Sequence, residues 1–270
     1  MMRRPPSEAS SCSKTITLGN ILNRREIKHM NKITIFCLPY AGGTKTIYSE
    51  WIKKYKSLAE VIPLEYSGHG SRFCEPLYKD ADEIANDIFD IIIKKKPENY
   101  MIFGHSMGSL ISLLVADRLE KKYSYPPKLV VVGGTRPPHL KDKDEKYTDL
   151  PKAEIMEKIF NMGQTDDDIM NDKEFVELLY DIFYADLCVN EKYSAKGNIK
   201  LKTPMMAMTG IQDKEAPIED MKEWGMYTES EFKLQIFEDN HFFPFTCCDF
   251  HESFTKVISE VIGNRLVKIR

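Results

Sequence analysis

The sequence predicts an α/β fold: a mostly parallel sheet with helices on both faces and one inserted helical segment. Three observations carry this. Short apolar runs rich in β-branched and aromatic residues alternate with segments of helical apolar spacing. The alternation breaks once, over residues 140 to 200, where helical stretches follow one another without a strand. Finally, Gly104-His105-Ser106-Met107-Gly108 stands between an apolar run and a helical one. Strands in repeated β-α units are buried on both faces and read as continuous apolar runs, as these do.

Ile33-Thr34-Ile35-Phe36-Cys37-Leu38 reads as a buried strand that stops at Pro39. Residues 46–58 have helical spacing and carry Trp51 and Tyr55. Val61-Ile62-Pro63-Leu64-Glu65-Tyr66 reads as a second strand near a sheet edge, because proline cannot donate to a ladder. Residues 82–95 form a helix with Ile84, Ile88, Ile91 and Ile92 on one face. Lys94-Lys95-Lys96 suits its C-terminal dipole, and Pro97 ends it. The run Tyr100-Met101-Ile102-Phe103 is a strand leading into Ser106, and residues 109–119 are the helix leaving it. Leu129-Val130-Val131-Val132 is a further buried strand.

Within the insertion, residues 152–162 and 174–187 are the clearest helices, and we read the segment as a lid. Its Asp166-Asp167-Asp168 run reads as a solvated helix start. Met205-Met206-Ala207-Met208 resumes the strands, residues 218–224 form a short helix, and residues 232–237 alternate as a strand. Residues 250–262 close the fold as a helix that turns Phe254, Val257, Ile258 and Val261 inward.

The 270 residues suit one large α/β domain. Residues 1–29 are polar, basic and poorly periodic, and lack the apolar centre of a secretory signal. They read as a disordered or non-native extension, with Met30 as the natural start of a domain over residues 30–270. With 42% hydrophobic and 29% charged residues, the composition allows a buried core and argues against global disorder. A net charge of -3 gives no support to nucleic-acid binding, and no apolar run is long enough to span a bilayer. The six cysteines show neither Cys-x-x-Cys spacing nor histidines at metal-ligand intervals, so no metal site is expected. A reducing cytoplasm is the simplest setting. No exposed amphipathic seam demands a second copy, so a monomer is expected.

A strand, a tight glycine-flanked serine and a helix make the nucleophile elbow of an α/β-hydrolase, with Ser106 as nucleophile. Such a fold takes its acid and then its histidine from later strand ends. Asp213 fits the acid, in the loop Thr209-Gly210-Ile211-Gln212-Asp213; Asp220 and Asp239 are weaker rivals. His241 fits the general base, in the loop after the strand at 232–237. His105 points from the wrong side of the turn to act as base and is expected to pack. His69, His139 and His251 have no triad position. One oxyanion donor is expected from the backbone N–H of Met107. The second is assigned to Ala41, because Pro39-Tyr40-Ala41-Gly42-Gly43 follows the first strand and its glycines let the backbone curl inward.

From about residue 33 to 262 the chain resembles the type II thioesterases of polyketide and nonribosomal peptide synthesis. Phe103-Gly104-His105-Ser106-Met107-Gly108 matches that family's elbow at every position. Cys37-Leu38-Pro39-Tyr40-Ala41-Gly42-Gly43 is similar to its Phe-Pro-His-Ala-Gly-Gly. Ser67-Gly68-His69-Gly70-Ser71-Arg72, leading to Glu75-Pro76, is similar to its Pro-Gly-His-Gly segment. Tyr184-Ala185-Asp186 echoes its lid Arg-Ala-Asp, and Asp239-Asn240-His241-Phe242-Phe243 its Gly-Gly-His-Phe-Phe. Tyr40, Ser67 and Asp239-Asn240 are departures, and none removes a triad member.

The resemblance implies hydrolysis of acyl or aminoacyl thioesters carried on the phosphopantetheine of acyl or peptidyl carrier domains. No cofactor of the enzyme's own is implied. Tyr48, Met162, Phe183 and Met208 are candidates for acyl contact, though each reads more readily as core. Arg72, Arg136 and Lys141 are candidates for carrier docking beside their plainer reading as solvated surface. The rival readings are a carboxylesterase or lipase on free small esters, a medium-chain acyl-carrier hydrolase of fatty acid synthesis, and a hydrolase fold retained for binding alone.

Overall fold

The computed structural model describes residues 32–143, 146–161, 173–194 and 198–267. The expected extension, Met162 and the Asp166 to Asp168 run lie outside these residues. Six strands form one sheet in the order β2-β1-β3-β4-β5-β6, and every neighbouring pair is parallel. They are β1 Ile33–Leu38, β2 Ala59–Pro63, β3 Tyr100–His105, β4 Val130–Gly133, β5 Met205–Gly210 and β6 Phe232–Phe237. The helices are α1 Ser49–Tyr55, α2 Ala81–Lys95, α3 Met107–Tyr123, α4 Lys152–Asn161, α5 Lys173–Glu191, α6 Ile218–Lys222, α7 Phe243–Thr246 and α8 Phe250–Val267.

Every residue of β1 and β3 is buried, which explains their unbroken apolar runs. Alternate side chains enter opposite layers. Ile33, Ile35 and Cys37 pack with Trp51 and Tyr55 of α1 and Phe250 and Phe254 of α8. Phe36 and Leu38 pack with Ile84 and Ile88 of α2 and Leu110 and Ile111 of α3. Helix α2 starts where Asp80 caps it, its carboxylate accepting from Glu83 N–H at 2.8 Å. It ends at Lys96, which turns left-handed with φ 45°.

The second strand differs from its sequence-based bounds. It starts at Ala59 and ends at Pro63, with Leu64 to Tyr66 outside it. The apolar pattern ran on because burial did: Leu64 and Tyr66 pack into the α2 layer as loop residues. The Tyr66 hydroxyl donates to the Pro39 carbonyl at 3.1 Å. Strand β2 does lie at a sheet edge. The helix expected over 46–58 divides into a single turn at Lys45–Tyr48 followed by α1. That expected over 218–224 is α6 followed by a turn at Glu223–Tyr227. Helices α4 and α5 lie between β4 and β5, as the broken alternation predicts.

The strand order sets where a ligand binds. The chain passes from β1 outward to β2, then returns to place β3 on the other side of β1. The segments after β1 and β3 therefore diverge, leaving a crevice at the C-terminal strand ends. Residues 39–44 and Ser106 border it.

Candidate active site

Ser106 occupies the turn between β3 and α3 with φ 54° and ψ −119°. This is a backbone region that a non-glycine residue enters only when its surroundings enforce it. Ser106 N–H donates to the Gly133 carbonyl at 2.7 Å, tying the turn to β4. The Ser109 hydroxyl has its one proton within reach of the Gly104 and Gly133 carbonyls, at 2.9 and 2.8 Å, and accepts from Gly133 N–H at 2.8 Å. The flanking glycines let α3 approach the sheet. A Cβ on Gly104 would lie 2.1 Å from the Gly108 carbonyl oxygen, and one on Gly108 would lie 2.4 Å from that of Leu38. Ser106 itself is partly exposed, while its neighbours His105 and Met107 are buried.

Asp213 and His241 come from the ends of β5 and β6. Ile211 N–H donates to the Phe237 carbonyl at 2.8 Å and Gln212 N–H to that of Asp239 at 3.0 Å, so the two loops run together. Gly210 permits this, since a Cβ there would lie 2.3 Å from the Asp239 carbonyl oxygen. His241 Nδ1 lies 3.0 Å from Asp213 Oδ2, and Glu215 N–H donates to Oδ1 at 3.0 Å. The carboxylate can only accept, so Nδ1 carries the proton and Nε2 of the neutral ring is left as a base. Among the described residues no hydrogen bond joins Ser106 to His241. Contacts of this kind often tighten only when substrate binds.

The rival acids are engaged elsewhere. Asp220 accepts from Arg136 at 2.7 Å, and Asp239 accepts from Thr246 at 2.9 Å. His105 is fully buried with both ring nitrogens unpartnered, its ring centroid 4.9 Å from that of His241. Burial, and then the charge His241 would carry, push its pKa well below the ordinary value. It is a neutral packing group, as expected. Tyr40 packs edge-on against His105 and Phe242, filling the space between the first loop and the last.

The amides that could hold an oxyanion are distinguished by what already binds them. Met107 is the first residue of α3, so its N–H has no partner within the helix. Gly43 N–H donates to the Tyr40 carbonyl at 2.9 Å, and Gly42 N–H donates to Asp186 Oδ2 at 2.7 Å. Of the residues between Pro39 and Gly43, Tyr40 and Ala41 keep amides without an acceptor among the described residues.

His69 has a partner that lies far from it along the chain. Its Nε2 lies 3.0 Å from Asp186 Oδ2 on α5, and its Nδ1 lies 3.0 Å from the Ser67 carbonyl oxygen. Both side chains are buried. Beside them the buried carboxylate of Glu65 accepts from the N–H groups of Lys45 and Ser71. Burial disfavours the His69 imidazolium. The Asp186 hydrogen bond and charge, the Ser67 carbonyl and the Glu65 charge together outweigh it and raise the pKa.

A raised histidine pKa means the pair contributes stability fully below the unfolded value. That contribution is lost as pH rises through the folded value. The difference in Tm between wild type and His69→Gln is therefore expected to shrink from about pH 6 to about pH 9. A constant difference in thermal melts across that range would contradict a charged His69.

Several other candidates prove to be structural. Tyr48 and Met208 are buried in the α1–α8 layer. Arg72 bridges Glu75 and Asp87 and donates to the Glu65 carbonyl, which makes it a loop organiser. Among the described acyl-contact candidates only Phe183 borders the crevice, its ring lying 2.3 Å from where a Cβ on Gly42 would be.

Sheet order, elbow and loop placement together are those of an α/β-hydrolase, the class of protein this chain represents. Within that class it belongs to the thioesterase domain family, whose model matches residues 33–261, and it is a thioester hydrolase. LgrE of Brevibacillus parabrevis, named a linear gramicidin dehydrogenase, is 28% identical over 215 residues, 78% of this chain and 82% of that protein. Thioesterase PikA5 of Streptomyces venezuelae is 26% identical over 212 residues, 78% of this chain and 75% of that one. Among solved structures, RedJ, a thioesterase from the prodiginine biosynthetic pathway of Streptomyces coelicolor, has a TM-score of 0.76 and 28% identity. That match covers 84% of this chain and 85% of RedJ. Among the described residues no helix is long and apolar enough to cross a membrane.

Proposed function

We propose that this thioesterase removes acyl or aminoacyl groups from the phosphopantetheine arms of carrier domains in nonribosomal peptide or polyketide synthesis, clearing misprimed or stalled chains. Ser106 is the nucleophile, His241 the base, Asp213 its orienting acid, and the amides of Met107 and Ala41 the oxyanion hole. The observation that carries the chemistry is the Asp213–His241 hydrogen bond beyond the ends of β5 and β6, at the same C-terminal end of the sheet as the strained Ser106 turn. The synthetase setting is supported by the motifs at residues 37–43, 67–76, 103–108 and 239–243, by a relative named for linear gramicidin and by a thioesterase structure from the prodiginine biosynthetic pathway.

In the first half-reaction Ser106 Oγ attacks the thioester carbonyl carbon while His241 Nε2 takes its proton. The carbonyl oxygen becomes an oxyanion facing the two amides. Collapse breaks the carbon–sulfur bond, and His241 returns its proton to the departing thiolate. In the second half-reaction water adds to the acyl-serine, giving its proton to His241. Collapse then releases the acid and restores the Ser106 hydroxyl. Thiolate leaves readily, so the demanding tasks are holding the oxyanion and activating water. The reaction uses no cofactor of the enzyme's own. The helices between β4 and β5 act as a lid that admits the arm and then shields the acyl-enzyme. All five described cysteines are free thiols, which suits the reducing cytoplasm where we place the enzyme.

The test uses carrier proteins loaded with acetyl, aminoacyl and medium-chain groups, followed by intact-mass spectrometry. Ser106-dependent unloading at a higher kcat/KM than cleavage of p-nitrophenyl esters is the expected result. Carriers that stay loaded while free esters are cleaved would make the enzyme a small-ester hydrolase.

A further inference from the structure

The backbone at residues 40–43 is a tight turn closed by the Gly43 N–H to Tyr40 carbonyl bond. Gly42 has φ 73°, and Ala41 does not share that sign, so this is a type II turn with Ala41 and Gly42 at its centre. The Ala41 N–H belongs to the Tyr40–Ala41 peptide, so its place is set by where the turn as a whole is anchored. The anchor is Asp186 Oδ2, which accepts the Gly42 N–H, the next amide of the same turn, at 2.7 Å from across the crevice. One turn earlier on α5, Phe183 lays its ring against the face of Gly42 where a side chain would project. Two residues of the inserted helix thus bear on a single glycine of the first loop.

Asp186 is itself held. The same Oδ2 accepts from His69 Nε2 at 3.0 Å. The other ring nitrogen of His69 faces the Ser67 carbonyl at 3.0 Å. Both partners only accept, so both nitrogens carry protons and the ring is an imidazolium. A carboxylate 2% exposed would be costly alone; beside a buried cation, and with an amide donor, it is satisfied.

We propose that Asp186 is a positioning residue for the oxyanion hole: paired with His69, it locks the turn that presents the Ala41 amide. The hole is therefore complete only while α5 is docked on the first loop. This rests on the reading of Ser106 as nucleophile and Ala41 as oxyanion donor. It adds that a carrier-borne chain whose entry displaces α5 leaves an incomplete hole, and that bond breaking waits until the helix returns. Acyl groups that hinder its return are hydrolysed slowly even when they bind well.

The experiment compares wild type, Asp186→Ala, Asp186→Asn and His69→Gln on an acyl-N-acetylcysteamine thioester, with active sites counted by fluorophosphonate labelling. A trifluoromethyl ketone, which forms an oxyanion on the serine, is measured as inhibitor of each. For Asp186→Ala, kcat per labelled site is expected to fall about 10²-fold with KM within about twofold. The ketone's affinity should fall by the same factor as kcat/KM. Asp186→Asn keeps an oxygen acceptor for Gly42 and should recover part of the loss, which also serves if the alanine variant does not fold.

A role confined to stability would lower Tm and the labelled fraction, leaving kcat per site and ketone affinity unchanged; that result overturns the proposal. If Ser106→Ala retained turnover, the reading beneath it would fail as well. Unchanged Asp186 variants with Ser106-dependent turnover would remove the positioning role alone.

Discussion

Ser106→Ala is expected to lower kcat on the order of 10⁶-fold on any thioester, with the fold intact. The magnitude follows from the role proposed for the serine. Without Oγ there is no acyl-enzyme, and His241 has no nucleophile to activate except water held in the wrong place. The residual rate is what the amides and binding supply, about 10³-fold over solution. Stability should not suffer, because Ser106 is partly exposed and none of the described hydrogen bonds depends on its hydroxyl. The check is single-turnover kinetics with circular dichroism on the same sample. A loss below about tenfold would place the nucleophile elsewhere.

Asp213→Asn is expected to lower kcat about 10⁴-fold while changing the shape of the site very little. The local hydrogen bonds decide this outcome. Glu215 N–H donates to Oδ1 at 3.0 Å, so the asparagine oxygen stays there and its NH₂ takes the place of Oδ2. That NH₂ faces His241 Nδ1, where the carboxylate oxygen accepted at 3.0 Å. A donor in that position forces Nδ1 to accept and moves the ring proton to Nε2, which then has no lone pair for the serine proton. Measured kcat with fluorophosphonate labelling rates tests it. Near-normal labelling would mean that the ring keeps its tautomer without Asp213.

The main elements and the reactive groups were legible because each depends on neighbours in sequence. Ser106 lies between a strand and a helix that its own flanking residues define, and its glycines sit at fixed offsets. Asp213 and His241 follow strands whose apolar runs are local. Loop segments that are buried without forming strands were not legible in this way. Leu64 and Tyr66 carry the same apolar signal as a strand because the core needs the same side chains whatever the backbone does. The link between His69 and Asp186 is not legible in the sequence. Both residues lie in recognisable motifs, yet 117 positions separate them, and only the packing of α5 beside the segment after β2 makes them partners. Tyr48 and Met208 were ambiguous for the opposite reason. Their composition suits either an acyl pocket or a core, and only burial distinguishes the two.

The left-handed backbone of Ser106 sets two demands on this protein against each other. Conformational strain of this kind costs about 1–3 kcal/mol, a noticeable share of the stability of a domain. Glycine would relieve it, and would also erase the hydroxyl. With Ser106 as the proposed nucleophile, the most stable sequence and the active sequence differ at this one position. Variation screened only for robustness would drift toward an inert protein of the same shape, and only continued demand for turnover keeps a serine there.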